Sequence, residues 1–220
     1  MSDYSWDFGV VVFHWDMWLR GLVVTLVYAA GTIAAGLVIG ILCGIVMSGR
    51  HRLLTIPIGG YIQLFRCTPL LVQIVWFYYA LPVVAGVNIP AWLAAGLGLM
   101  LYMGAFTAEI FRGGIMSIDR GQWQASRALG MMPWQMMQRI ILPQAFRRMM
   151  PPFVNQSVLQ LKNTSLLSVV AVPDLMYTGT LVTSDTFRPL EVYTSLAAIY
   201  FVILYPLQKL AKQLERRDDV

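Results

Sequence analysis

The sequence predicts an all-α membrane protein with about five transmembrane helices, and three observations carry that expectation. Only 12% of the 220 residues are charged, while 58% are hydrophobic, and the mean hydropathy is +0.64. A soluble domain covers itself with roughly 25% charged residues, so lipid must cover part of this chain. Leu22 to Met47 carries no charge at all, and a bilayer asks for about 20 apolar residues in succession. Finally, the basic residues gather beside the apolar runs rather than in one dense patch. That pattern suits membrane topology and argues against nucleic acid as the partner of a chain with net charge +5.

Residues 1–21 form an acidic, aromatic segment with no cationic stretch before an apolar core, unlike a cleaved signal peptide. Trp6, Trp15 and Trp18 fit an aromatic belt at the lipid interface. Residues 22–220 read as one transmembrane domain. Its first span is Leu22 to Met47, where Gly36, Gly40 and Gly44 place a smooth stripe on one helix face. Such a stripe serves close helix contact, either within the subunit or between subunits. The second span covers about Thr68 to Ala85 and the third about Pro90 to Ala108. A fourth, Pro152 to Val172, is polar in its middle, and the fifth covers about Val192 to Leu207.

Cytoplasmic loops carry an excess of Lys and Arg. An outside N-terminus puts Arg50, Arg52, Arg66, Arg112, Arg120, Arg127, Arg139, Arg147, Arg148, Lys209, Lys212, Arg216 and Arg217 inside. Only Arg20 and Arg188 then lie outside. The expected topology is five spans, N-terminus out and C-terminus in.

Cys43 and Cys67 lack partner spacing, and His14 and His51 lack ligand-like neighbours, so no disulfide or metal site is expected. A P-loop needs Gly-Lys followed by Ser or Thr. The three lysines, Lys162, Lys209 and Lys212, follow Leu161, Gln208 and Ala211. No nucleotide site or other cofactor is therefore expected on this chain.

The long inner segment, residues 109–150, contains "QASRALGMMPWQMMQRIILP", Gln124 to Pro143. Two short amphipathic helices are expected, joined at Gly130, with the second ending at Leu142-Pro143. A knob of this shape suits a partner's groove. An amphipathic loop packing only on its own bundle would show the same pattern.

The spacing resembles the coupling motif of bacterial ATP-binding-cassette importer permeases, E-A-A-x(3)-G-x(9)-I-x-L-P. Gln124, Ala125, Ser126, Gly130, Ile140, Leu142 and Pro143 occupy its register positions. Gln124 stands where glutamate is usual and Ser126 where alanine is usual; glutamine keeps the length and hydrogen bonding but not the charge that an ion pair with the ATPase would use, and the docking role stands. "FRCTPLLVQIVWFYYALP", "AEIFRGGIMSIDRGQWQA", "ILPQAFRRMMPP", "LKNTSLLSVV" and "FRPLEVY" resemble the polar-amino-acid branch, in order along nearly the whole chain. The resemblance implies an inner-membrane permease subunit of an amino-acid uptake system, with glutamate/aspartate or glutamine ahead of arginine or histidine. It also implies a second permease subunit (a copy or a sister chain), ATPase subunits that hold ATP and Mg, and a periplasmic substrate-binding protein. An ATP-independent secondary transporter or channel subunit is the alternative. Such transporters often carry internal repeats, none is evident here, and the motif would stay unexplained.

The fourth span holds Asn155, Gln156, Gln160, Lys162, Asn163, Thr164 and Ser165. Polar and ionisable groups inside a bilayer normally face a bundle interior or a wet cavity, which makes these residues candidates for the substrate pathway. Three roles are open for Lys162: ligand for a carboxylate, salt bridge to a neighbour such as Glu109, or a field charge along a pore. Glu109 and Arg112 are spaced for a pair on one helix face, and Arg66 reads as a headgroup anchor or a structural corner.

Overall fold

The computed structural model describes Tyr4–Ser48 and Arg52–Asp218, apart from the side chains of Ser48, Arg52 and residues 214–218. Of the basic residues that set the expected orientation, Arg50 and the side chains of Arg52, Arg216 and Arg217 lie outside the described residues.

The described chain is helical and contains no strand. In order come α1 (Gly9–Phe13), α2 (Trp15–Ser48), α3 (Arg52–Cys67), α4 (Leu70–Val75), a π turn (Trp76–Ala80) and α5 (Leu81–Ala85). Then follow α6 (Ala91–Met116), α7 (Arg120–Ala128), α8 (Pro133–Met136), a second π turn (Met137–Ile141) and α9 (Leu142–Asn163). A 3-10 stretch (Thr164–Val170), α10 (Leu175–Thr186) and α11 (Pro189–Asp218) complete it. Among the described residues three helices are long and apolar enough to span a bilayer alone, within α2, α6 and α11. Two bent pairs raise the number to five: Leu53–Cys67 with Leu70–Ala85, and Pro133–Val170 with Leu175–Thr186.

The sequence expectations of the spans need four corrections. The first span starts at Trp15, so Trp18 is not a belt residue but lies 6% exposed in a core with Leu175, Val182, Val192 and Leu196. Helix α3 occupies a stretch where the sequence predicts no span; its apolar residues are interrupted by Pro57, Gly59 and Gly60, and Leu53 and Ile56 are exposed. It meets α4 at a 111° bend across Thr68-Pro69, because a residue before proline is pushed out of the α region. The third span continues to Met116. The fourth begins well before Pro152, since Pro143 does not end its helix.

Proline inside a helix removes one bond and crowds the carbonyl four residues earlier. Here the π turn Met137–Ile141 comes directly before Leu142-Pro143, and Leu142 N–H reaches back five residues to the Met137 carbonyl. The wider turn relieves the crowding and lets the helix run on to Asn163. The same device precedes Leu81-Pro82, where Leu81 N–H donates to the Trp76 carbonyl.

The chain forms two compact units. One comprises residues up to Ile33, 69–100 and 159–206; the other comprises 34–68, 101–158 and 207 onward. In the first unit, Gly21 lets α2 approach the start of α10: a Cβ there would lie 3.0 Å from the Asp174 carbonyl oxygen. Thr25 Oγ1 accepts from Leu175 N–H at 3.0 Å. The N-terminal segment is clasped by the fully buried Glu191, which accepts from Tyr4 Oη at 2.5 Å and Asp7 N–H at 3.1 Å. The hydrogen bond that the Tyr4 phenol donates to this carboxylate holds the phenol above the ordinary tyrosine range, and the like charge a phenolate would meet there adds to it.

In the second unit the glycine stripe finds its use. Cβ atoms at Gly36, Gly40 and Gly44 would lie 2.5, 2.3 and 2.5 Å from the side chains of Met103, Thr107 and Phe111 on α6. The stripe is thus filled within the subunit. Tyr61 Oη donates to the Leu101 carbonyl at 2.6 Å and ties α3 to α6.

Candidate functional site

Residues 109–150, in the second unit, fold into a knob built on apolar residues. Ile115, Ile118, Met136, Ile141, Ala145 and Met149 form its buried core, with Trp123, Met131, Met137 and Ile140 packed against them. Asp119 caps α7 by accepting from Gly121 N–H, and Ser126 Oγ donates to the Gln122 carbonyl at 2.7 Å. The end of α7 explains the glycine at 130. Met131 N–H donates to the Ser126 carbonyl at 3.2 Å and Gly130 N–H to the Arg127 carbonyl at 2.9 Å. That is a Schellman closure, which needs a residue of positive φ, and Gly130 has φ +72°.

The seven motif positions divide by exposure. Gln124, Ala125, Gly130 and Pro143 are exposed; Ser126 is buried, and Ile140 and Leu142 are half-buried. The motif therefore mixes residues that shape the knob with residues on its surface. Sequence reasoning missed the most exposed apolar ones. Leu129 is 81%, Met132 59% and Trp134 54% exposed, around the Gly130 turn. In the sequence they are indistinguishable from buried apolar neighbours such as Met136.

The polar helix splits into two faces. Gln156 and Thr164 are buried, and Gln160 is fully buried. Gln160 Nε2 donates to Thr32 Oγ1 at 3.0 Å and to the Leu99 carbonyl at 2.9 Å, tying α9 to α2 and α6 within the first unit. Asn155 and Lys162 lie on an exposed face, with Asn163 and Ser165 half-buried. Lys162 and Ser165 open onto a cavity of about 340 Å³, walled by Met176, Leu196, Tyr193 and Tyr200. The tyrosines went unnoticed because they stand on the last span, far away in sequence. Thr164, Ser165 and Ser168 each donate a hydroxyl to the carbonyl three residues earlier, a local competition that accompanies the tightening into 3-10 helix.

Glu109 is not available to Lys162, contrary to one of the roles the sequence leaves open. Arg112 binds it with two donors, and Arg66 Nη1 lies 3.8 Å from it. Arg66 also stands 5.6 Å from the ring centre of Phe106, so it is a packed corner between α3 and α6 rather than a free headgroup anchor. Among the described residues Lys162 is in no ion pair within 4.0 Å, and no group of three or more His, Cys, Asp or Glu could hold a metal.

A knob on a bundle of broken spans has counterparts among known proteins. Residues 36–217 match the family model described as binding-protein-dependent transport system inner membrane component. The chain belongs to that family. It is accordingly a permease component of the inner membrane, as the coupling motif implied. The glutamine transport system permease protein GlnP of Escherichia coli K12 is 36% identical over 203 residues, covering 92% of this chain and 93% of that protein. The octopine transport system permease protein OccM of Rhizobium meliloti is 35% identical, covering 93% and 88%. A crystal structure of an amino acid ABC transporter with histidines superposes with a TM-score of 0.91 at 33% identity, over 97% of this chain and 100% of that one. The inward-facing MetNI methionine ABC transporter, 20% identical with a TM-score of 0.73, shares the fold.

Proposed function

We propose that this permease component carries polar amino acids, glutamine foremost, as one of two permease subunits of an ATP-driven importer. The ATPase subunits hold ATP and Mg and dock on the knob at Gln124–Pro143, and a periplasmic binding protein delivers the substrate. The observation that supports docking is the apolar tip of Leu129, Met132 and Trp134, held out by the Schellman turn. Three large apolar side chains exposed together on a polar flank suit insertion into a partner's groove, since clustered aromatic and aliphatic anchors supply most of an interface's energy. Relatives named for glutamine and octopine transport support the substrate class, and a family defined by dependence on a binding protein argues against the ATP-independent alternative.

Lys162 is the group for the substrate's α-carboxylate, over the cavity whose apolar walls receive the aliphatic part. Ser165 lines the same cavity, and Asn163 follows Lys162 directly in the chain. A cation there is needed for any amino acid, so it does not choose among them.

The test is co-purification from native membranes followed by uptake in proteoliposomes with the binding protein and ATP. Trp134→Ala is expected to weaken ATPase retention about 30-fold, the loss of about 2 kcal/mol for a buried aromatic anchor. Lys162→Ala is expected to reduce glutamine uptake about tenfold or more while the complex still assembles. Uptake that persists without ATP, or with Lys162→Ala at the wild-type rate, would overturn the corresponding part.

A further inference from the structure

Resting on the docking reading of the knob, we infer that the ATPase groove receiving it is lined with carboxylates, which meet Arg120 and Arg127 on the outward face of α7. Residues 120, 124 and 127 stand one and two turns apart and share a helix face. All three are exposed, while Ser126 is buried and Trp123 packs on the knob's apolar core. Among the described residues neither guanidinium group is in a hydrogen bond or ion pair. The carboxylates of the segment are already engaged: Asp119 caps α7, and Glu109 is held by Arg112 and Arg66.

Gln124 decides the sign of this surface. A glutamate there would sit four residues after Arg120 and three before Arg127, spaced to pair with both. Glutamine leaves both cations uncompensated, so the stripe reads cation, neutral, cation. Arg120 also occupies the first turn of α7, which holds no acidic residue although the helix dipole favours anions there. The stability of α7 therefore does not account for it. An excess of inner-side cations follows from membrane topology, but that rule does not place two of them on one face of the docking helix.

Closing a groove over two unpaired guanidinium groups removes their water without return, which is strongly unfavourable. Carboxylates opposite them supply forked, charge-assisted bonds of the geometry arginine favours. Where the usual motif puts an acid on the permease, this chain reverses the polarity and asks for the acids on the ATPase. The pairing also selects the cognate ATPase against one whose groove is basic.

The experiment places the full-length permease in phosphatidylcholine nanodiscs and titrates its purified ATPase at two or more salt concentrations. Arg120→Gln with Arg127→Gln is expected to raise Kd at least tenfold and to flatten its dependence on salt. Gln124→Glu is expected to raise Kd several-fold, because it neutralises the stripe and faces the groove with like charge. An unchanged Kd in the double variant, or tighter binding by Gln124→Glu, overturns the inference. An effect confined to nanodiscs containing phosphatidylglycerol also overturns it, since the stripe would then contact lipid headgroups. Leu129→Asp separates the two levels: wild-type affinity in that variant sinks the docking reading itself, whereas loss there with no effect of the arginine changes sinks only the carboxylate groove.

Discussion

At Gly40 a side chain has no room. A Cβ would stand 2.3 Å from Thr107 Cβ and 2.8 Å from the Ala108 backbone nitrogen, and the backbone cannot yield as a flexible side chain might. Forcing methyl groups into a packed contact costs about 1–3 kcal/mol. For a chain of this size that corresponds to a fall in thermal midpoint of about 2–4 °C per kcal/mol. Gly40→Val is therefore expected to lower the midpoint of the detergent-solubilised protein by about 5 °C. Gly31→Val, on the same helix with nothing within 4 Å, is the control and should leave the midpoint almost unmoved. Equal behaviour of the two variants would remove the stripe from the packing account. Four-residue glycine spacing announced this contact in the sequence; that the contact is with α6 needed the fold, because the pattern alone describes one partner only.

At the scale of the element, α9 shows what a sequence hides. Proline at 143 and polar residues from Asn155 onward both argue locally against a continuous membrane helix, and each objection is answered by something outside the local pattern. The π turn accommodates Pro143. The Gln160 side-chain N–H group, Nε2, donates to Thr32 and Leu99, on helices far away in the chain. The spans α2, α6 and α11 were legible from hydropathy, as was the knob from its register of glycine and proline. Helix α3 was not, for its apolar residues alternate with helix breakers. Nor was the division of the polar residues between a buried and an exposed face, since Gln160 and Lys162 are both simply polar in the sequence. Gln160 reads structurally as a tie between helices, and its replacement discriminates. Interhelical hydrogen bonds in membranes contribute about 0.6 kcal/mol on average and up to about 1.7. Gln160→Leu should thus reduce stability by about 1 kcal/mol and lower uptake only in proportion to the folded protein remaining. Unaltered stability with a collapse in uptake would instead return Gln160 to the substrate pathway.

At the scale of the whole molecule, charge assigns which end of each span is expected to face the cytoplasm. The charge distribution predicts the knob inside, because an outside N-terminus leaves only Arg20 and Arg188 exposed to the periplasm. Docking on an ATPase requires the same orientation, so topology and function stand or fall together. Two surface positions report on it. Leu129 is 81% exposed at the tip of the knob, and Phe187 is 86% exposed at the turn between α10 and α11. By the span count, one crossing separates them. Phe187 also adopts φ +56°, a region that bulky residues rarely occupy, so its replacement should not weaken the turn. With Cys43 and Cys67 changed to serine, Leu129→Cys and Phe187→Cys are each treated with a membrane-impermeant maleimide on intact spheroplasts. Phe187→Cys is expected to label at once and Leu129→Cys only after the membrane is opened. Labelling of neither in closed spheroplasts, with both labelled once the membrane is opened, would mean that the bent pair α9–α10 re-enters instead of crossing, and the count of five would fall to four. Labelling of Leu129→Cys alone would invert the molecule and leave the knob on a side where no ATP is hydrolysed.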